Sequence, residues 1–395
     1  MNKKITIGLF IDTFFPMIDG VTVVVDNYAK RLANYANVIV FAPGYKGKEF
    51  DDSKFTYKVV RCKSIKMPMN DYSLPAPKFD KKFMTELNNS KLDIVHIHSP
   101  FSIGKAGIEY AKKNNVPVIA TMHSQYKKDF LRVVKFETFA NILTRIIIRQ
   151  YNRCDECWAV NGEVAKIYYK EYKCKELPKV MNNATDMKPV KDLESSRTLI
   201  NQKYNISPDE KVFLFVGRIN KLKNIYLIAN SLKILKEKYN PKFKMLFVGS
   251  GQDEDTLKSI IKKNNMEKDI IMCGQIMDRE LLASIYARAD LFLFPSLYDA
   301  SSIVQIEAAS QKTPTLFVEG AATTATITEN INGFICKNDE NDFAEKINEI
   351  ITNKDLYEDV CQNTYRDIYV NWDDKVKIVF DSYMDIIRKN KINNI

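Results

Sequence analysis

Short apolar runs alternate with segments of helical periodicity along almost the whole chain, and that alternation restricts the fold more than any other feature. A strand of a parallel sheet is buried on both faces and reads as continuous apolar sequence, while helices make the crossovers between strands. Strands are predicted at residues 5–11, 38–41, 57–62, 94–97, 116–121, 156–160 and 179–181, with helices at 21–35, 79–88, 103–114 and 162–172. The pattern then starts again, with strands at 212–216, 244–248, 270–273, 291–294, 314–317 and 333–336 and helices including 222–239 and 279–288. A chain of 395 residues exceeds one ordinary domain. The reading is therefore an α/β protein with two parallel-sheet domains, residues 1–190 and 191–370. The polar stretch 187–207 is the seam. Residues 371–395 contain an amphipathic segment, 372–388, expected to form a helix able to cross back to the first domain.

Several classes of protein are excluded by composition. No window holds the roughly 18 consecutive apolar residues that a membrane span requires. The start, MNKKITIGLFID, has the basic-then-apolar order of a signal peptide, but Asp12 interrupts it and no small-residue cleavage site follows, so a buried strand is expected. Seven scattered cysteines, an odd number, fit a reducing cytoplasmic compartment better than a disulfide framework. Cys154-x-x-Cys157 has no second pair and no nearby histidine, which makes a zinc or redox role the lesser reading. Lys and Arg outnumber Asp and Glu by 31 to 19 in residues 1–190, against 28 to 30 in the remainder. Such an asymmetry points to an anionic partner for the first half or to a merely lysine-rich composition. No nucleic-acid recognition pattern accompanies it, and no nucleic acid is expected as a partner.

Three segments of the second half carry chemistry. Gly217-Arg218 and Lys223 lie between a predicted strand and a helix, where ligands of open α/β sheets bind. Arg supplies a planar fork of donors and Lys a compact charge, and five residues apart both can reach one diphosphate. Gly249-Ser250-Gly251 ends the next strand, and two glycines allow close backbone approach to a ligand or simply a tight turn. After Pro295-Ser296, Asp299 sits on a loop and Glu307 eight residues later on a helix, placed to accept hydrogen bonds from hydroxyl-bearing parts of one ligand. The amides of Ser302, Ile303 and Val304 would face a phosphate at that helix N-terminus.

These segments resemble those of the retaining nucleotide-sugar glycosyltransferases of family four, which have the GT-B fold of two facing Rossmann-like domains. The likeness runs from residue 5 to about 372. It implies that Arg218 and Lys223 bind the donor diphosphate, Glu307 the ribose hydroxyls and Asp299 the donor sugar. It also places the backbone of Gln275-Ile276 at the nucleobase, Gly249 and Gly20 beside the donor and His123 next to the transferred sugar. His123, Arg218, Lys223 and Asp299 are the catalytic candidates it supplies. Asn182-Asn183-Ala184-Thr185-Asp186 resembles the family's N-G-V-D stretch. Two departures stand out: Asp299-Ala300-Ser301-Ser302 replaces Glu-Gly-Phe-Gly, and Asn224 replaces a usual glycine.

The resemblance further implies transfer with retention, no metal and no other cofactor, the nucleotide-sugar being a co-substrate. The Pro100-Phe101-Ser102-x-Gly104 run and Thr121-x-His123-Ser124-x-Tyr126 resemble the diacylglycerol glucosyltransferase branch. The expected reaction moves a hexose from UDP-glucose or a related UDP-sugar to a membrane lipid such as diacylglycerol. Acceptor-side candidates are His98, Tyr126, Lys127, Lys128 and Arg132. The basic amphipathic segment around 127–153 can lie on an anionic bilayer, a peripheral placement on the inner face of the cell membrane, or can be a core-facing helix with a basic outer side. A cell-wall or capsular saccharide acceptor and a catalytically silent subunit remain alternatives. A sugar-nucleotide epimerase would need several acid/base groups, of which the chain offers few.

Overall fold

The computed structural model describes residues 4–47, 50–66 and 73–393, so the first three residues of the basic start and the last two of the chain lie outside the described residues. The chain divides into two compact units, Met1–Asn183 with Trp372–Ile395, and Ala184–Asn371.

In the first unit the strands are β1 (Thr6–Phe10), β2 (Asn37–Pro43), β3 (Lys58–Cys62), β4 (Ser64–Lys66), β5 (Ser73–Pro75), β6 (Ile94–Ile97), β7 (Val118–Met122), β8 (Glu156–Ala159) and β9 (Lys179–Val180). The helices are α1 (Gly20–Leu32), α2 (Lys81–Asn89), α3 (Ser102–Asn114), α4 (Tyr126–Val134), α5 (Glu137–Tyr151) and α6 (Gly162–Lys166). Seven of the strands form one parallel sheet in the order β3-β2-β1-β6-β7-β8-β9, and β4 and β5 pair as a small hairpin. Every residue of β6 and β7 is buried, as a strand covered on both faces should be. Residues 162–172, expected as one helix, wind as α6 and then as a π-helical turn over Ile167–Glu171.

The second unit contains α7 (Leu193–Tyr204), β10 (Lys211–Val216), α8 (Ile225–Tyr239), β11 (Phe243–Val248), α9 (Glu254–Lys263), β12 (Ile270–Gly274), α10 (Arg279–Arg288), β13 (Leu291–Leu293), α11 (Ile303–Ser310), β14 (Thr315–Val318), β15 (Phe334–Cys336), α12 (Glu340–Thr352) and α13 (Lys354–Ile368). Its six-stranded sheet has the order β12-β11-β10-β13-β14-β15, parallel throughout. The chain builds outward from β10 through β11 to β12, then returns to pair β13 with the other edge of β10. That reversal creates a topological switch point between β10 and β13, the place where open α/β sheets bind ligands at the carboxyl ends of their strands.

Residues 187–207, read from sequence as a polar seam, hold a helix. Asp192 accepts from Ser195 N (3.0 Å) to cap α7, which packs against α10. Its only buried residue is Ile200, while Leu193 and Leu199 stay exposed, so no apolar stripe announced it.

The chain ends in α14 (Trp372–Asn393), which belongs to the first unit. Trp372 meets Tyr28 of α1 edge to face at 5.5 Å, and Tyr383 stacks on Trp158 of β8 at 5.8 Å. Arg31 reaches Asp373 at 2.6 Å. The two points where the chain passes between units lie side by side, since Thr185 N donates to Val370 O at 2.9 Å and Thr185 bridges Asn371.

Candidate functional site

In the second unit the sequence candidates collect at the switch point. After β10 the chain turns through Gly217, Arg218 and Asn220 into a single 3-10 turn, Lys221–Lys223, capped by Asn220. Asn224 then adopts the left-handed conformation (φ 58°) before α8 begins. Asparagine is the best non-glycine residue there, so Asn224 keeps the backbone geometry that glycine would provide. Arg218 is exposed and makes no ion pair among the described residues. Lys223 grips both carboxylate oxygens of Asp299, at 2.5 and 2.7 Å, with its ammonium 5.7 Å from the Phe294 ring centroid. The ion pair thus joins the loop after β10 to the loop after β13. Both side chains are about four-fifths covered.

The neighbouring glycines have a chain-internal reason. A Cβ on Gly249 would stand 1.9 Å from Gly217 O, and one on Gly251 would stand 2.2 Å from Ile219 O. The turn after β11 therefore presses backbone to backbone against the turn after β10, fixed by Gly217 N to Val248 O (3.0 Å) and Ile219 N to Ser250 O (2.9 Å). Gly249 shapes the Arg218 turn from behind.

On α11, Ser302 occupies the N-cap, and Ile303 and Val304 form the first turn. Glu307 follows on this helix, buried, accepting from Arg279 Nη2 at 2.8 Å and from Tyr286 Oη at 3.2 Å. Burial pushes its carboxyl above the ordinary glutamate range, against the pull of the Arg279 guanidinium. Gln275 is exposed and Ile276 half-buried, just beyond β12. Sequence reasoning missed Arg279 and Tyr286. They lie 28 and 21 residues before Glu307, and only the packing of α10 on α11 brings them to it.

In the first unit Gly20 opens α1, behind the Asp19 N-cap that accepts from Thr22 N at 2.7 Å. A Cβ on Gly20 would meet nothing within 4 Å among the described residues. Asp12, just past β1, is buried and caps α3, accepting from Ser99 Oγ and Ile103 N, both at 2.8 Å.

The three histidines form one chain of contacts at the ends of β6 and β7. His96 bonds Tyr383 Oη (2.5 Å) and Thr121 Oγ1 (2.7 Å), which makes it a structural core group joining α14 to the sheet. His98 Nδ1 lies 3.0 Å from His123 Nε2, so one ring donates and the other accepts. His98 is fully buried and His123 half-buried. Burial pushes His123 down to about 3 and holds His96 and His98 well below the usual histidine range. All three are neutral in the native fold at neutral pH. The unfolded chain takes up protons on these rings below about pH 6.5 while the native fold does not. Stability should therefore decline as pH falls from 6.5 to 5, by about 1.4 kcal/mol per pH unit for each ring. Asp12, raised by burial, works in the opposite sense. Urea unfolding across this window should lose about one proton's worth of slope in His98→Asn. An unchanged slope would mean that the ring already protonates in the native state.

Tyr126, buried, starts α4 and meets the Phe101 ring edge at 5.6 Å. Lys127 pairs with Glu137 at 3.1 Å, whereas Lys128 and Arg132 extend from the exposed side of α4.

Residues 18–188 match the sequence family Glycosyltransferase Family 4, and residues 196–367 match Glycosyl transferases group 1. The chain belongs to the family-four glycosyltransferases. Among curated relatives it is similar to the alpha-monoglucosyldiacylglycerol synthase of Acholeplasma laidlawii, 27% identical over 348 residues and 85% of each chain. The synthase of the same name from Streptococcus pneumoniae is 24% identical over 78% of this chain and 70% of its own. Among solved structures, sucrose-phosphate synthase from Thermosynechococcus elongatus superposes with a TM-score of 0.79 at 18% identity, covering 98% of this chain and 100% of that one. Anabaena HepE, solved in complex with UDP and glucose, gives 0.73 at 14% identity over 96% and 99%. This glycosyltransferase has the GT-B fold.

Two surfaces of the glycosyltransferase lie outside the strand-end clusters. On α4 and α5, Val133, Phe136, Phe139, Ile142 and Ile146 are all between 47% and 80% exposed. The cations Lys128, Arg132, Lys135, Arg145 and Arg149 are exposed on the same two helices and the turn between them. The basic amphipathic segment thus buries Ile147 and Ile148 and leaves these five apolar side chains uncovered by the described residues. No helix among the described residues is long and apolar enough to cross a membrane. At the far end of α5, Cys154, Cys157 and Cys174 converge on Gln150 O, Tyr151 O and Asn152 Oδ1. Mutual contact and burial hold Cys157 and Cys174 as thiols. Among the described residues no group of three or more His, Cys, Asp or Glu side chains is arranged to hold a metal ion.

Proposed function

We propose that this glycosyltransferase moves a hexosyl unit from a UDP-sugar to a membrane lipid such as diacylglycerol, with retention at the anomeric carbon. The observation that carries the lipid acceptor is the open apolar face of α4 and α5 set among five exposed cations. Such a face gains from burial in the headgroup region and from anionic lipid at once. The names of the Acholeplasma and Streptococcus relatives support the same acceptor, and the ligands of the HepE structure support a UDP-sugar donor.

In this reading Arg218 and the α11 N-terminus stabilise charge building on the leaving diphosphate, the usual dominant contribution to such a step. Lys223 is held by Asp299 until phosphate oxygens compete for its ammonium, and Asp299 then turns to the sugar hydroxyls. Glu307 takes the ribose hydroxyls. Gly20, with space beside its Cα, admits the donor phosphate to the first turn of α1. His123, neutral and half-buried, accepts or donates a hydrogen bond to the transferred sugar without bringing charge. The cations make a metal unnecessary.

The test combines transfer and binding. Labelled UDP-glucose and vesicles of anionic phospholipid with diacylglycerol should give a glucosylated lipid with the α-anomeric signal of the donor. The double variant Phe136→Ser/Phe139→Ser should sediment with those vesicles at least about tenfold less, with UDP affinity unchanged. Transfer only to soluble saccharides, or wild-type protein that ignores the vesicles, would overturn the lipid acceptor.

A further inference from the structure

The Arg279 guanidinium is the one cation bonded to the Glu307 carboxylate among the described residues, and it is shared. The same Nη2 lies 2.8 Å from Glu307 Oε1 and 2.8 Å from Asp186 Oδ1. Glu307 is almost fully buried, whereas Arg279 and Asp186 are nearly half exposed. Its other partner is the buried Tyr286 hydroxyl at 3.2 Å. The groups facing Glu307 are thus Arg279 and Tyr286 from α10 and, at longer range, Asp186, which lies two residues past the crossing between units.

We propose that Arg279 is a positioning residue of the donor site: it keeps the buried Glu307 carboxylate ionised and aimed so that it can accept from donor ribose hydroxyls. This rests on the donor-binding role given to Glu307 above. A carboxylate removed from water keeps its charge only with a close cation or several donors, and a protonated carboxyl accepts poorly from vicinal hydroxyls. With Arg279 gone, one phenol remains to compensate the charge, while Asp186 disfavours it. Burial already pulls the carboxyl upward, so losing the cation that opposes this pull raises its titration further. Asp186 draws on the same Nη2 group and so restrains how tightly the guanidinium closes on Glu307.

The decisive experiment follows donor KM, UDP affinity and kcat from pH 6 to 8.5 in wild type, Arg279→Gln, Arg279→Lys and Glu307→Gln. Wild type should show a flat donor KM. In Arg279→Gln the KM and the UDP dissociation constant should rise about tenfold per pH unit on the acid side and recover toward pH 8.5, with kcat at saturation little changed. Arg279→Lys should restore most of the wild-type profile. In Glu307→Gln the pH dependence should vanish, and adding Arg279→Gln to it should cost little more. A uniform loss at all pH values, or a parallel fall in kcat, would overturn the proposal. A second readout does not depend on donor chemistry. The carbon-13 carboxyl signal of Glu307, assigned by its absence in Glu307→Gln, should titrate at higher pH in Arg279→Gln than in wild type. No movement refutes the role of Arg279 even if UDP-sugars prove to be the wrong donors. Movement without any UDP binding would sink the donor reading and leave the ionic coupling standing.

Discussion

Replacing Arg218 with alanine is expected to lower sugar transfer by about 100- to 1,000-fold, the usual loss when one stabiliser of a developing anion is removed. Stability should stay within about 0.5 kcal/mol of wild type, because the side chain is exposed and ion-pairs with nothing among the described residues. A cation that ion-pairs with none of the described residues is available for a ligand. Lys223→Ala should behave differently. It breaks a mostly covered ion pair with Asp299 as well, so both turnover and stability should fall. Steady-state kinetics beside urea unfolding separates the two cases. Transfer within threefold of wild type in Arg218→Ala would remove this residue from the diphosphate site.

The second large effect concerns stability. Gly249→Ala is expected to cost about 3 kcal/mol or more, with folding itself at risk. The added carbon would lie 1.9 Å from Gly217 O, and the residue already sits at φ 137°. Both obstacles are backbone, so no rotamer change relieves them. Gly20→Ala is the internal control: its added carbon meets nothing nearby, and its melting midpoint should barely move. Equal tolerance at both positions in urea titrations would contradict the packing of the two turns.

Much of this was legible from residues alone, for reasons that can be stated. Strand β6 and helix α10 were bounded correctly at both ends, because an unbroken apolar run and a 3.6-residue period are local signals. Helix α7 was not, since one buried isoleucine gives no stripe. At 299 the chain has aspartate where the family pattern has glutamate, one methylene longer. In the fold the short arm brings both oxygens to Lys223, a contact between residues 76 apart that no spacing rule contains. His96 and His98 share a strand face by simple alternation, yet which of them serves the core and which meets His123 depends on α14 and β7. The Arg279–Glu307 pair was invisible for the same reason: its partners come from separate helices.

The placement of α14 has a consequence for how the molecule is made. Translation delivers the first sheet early, but the aromatic plug of Trp372 and Tyr383 over Tyr28, His96 and Trp158 emerges only after the entire other unit has been synthesised. A nascent first unit therefore waits on the ribosome with these aromatic faces uncovered and the His96 ring bonded to Thr121 but not yet to Tyr383. Vectorial, unit-by-unit folding can finish Ala184–Asn371 before the first unit, since α14 closes a sheet synthesised well ahead of it.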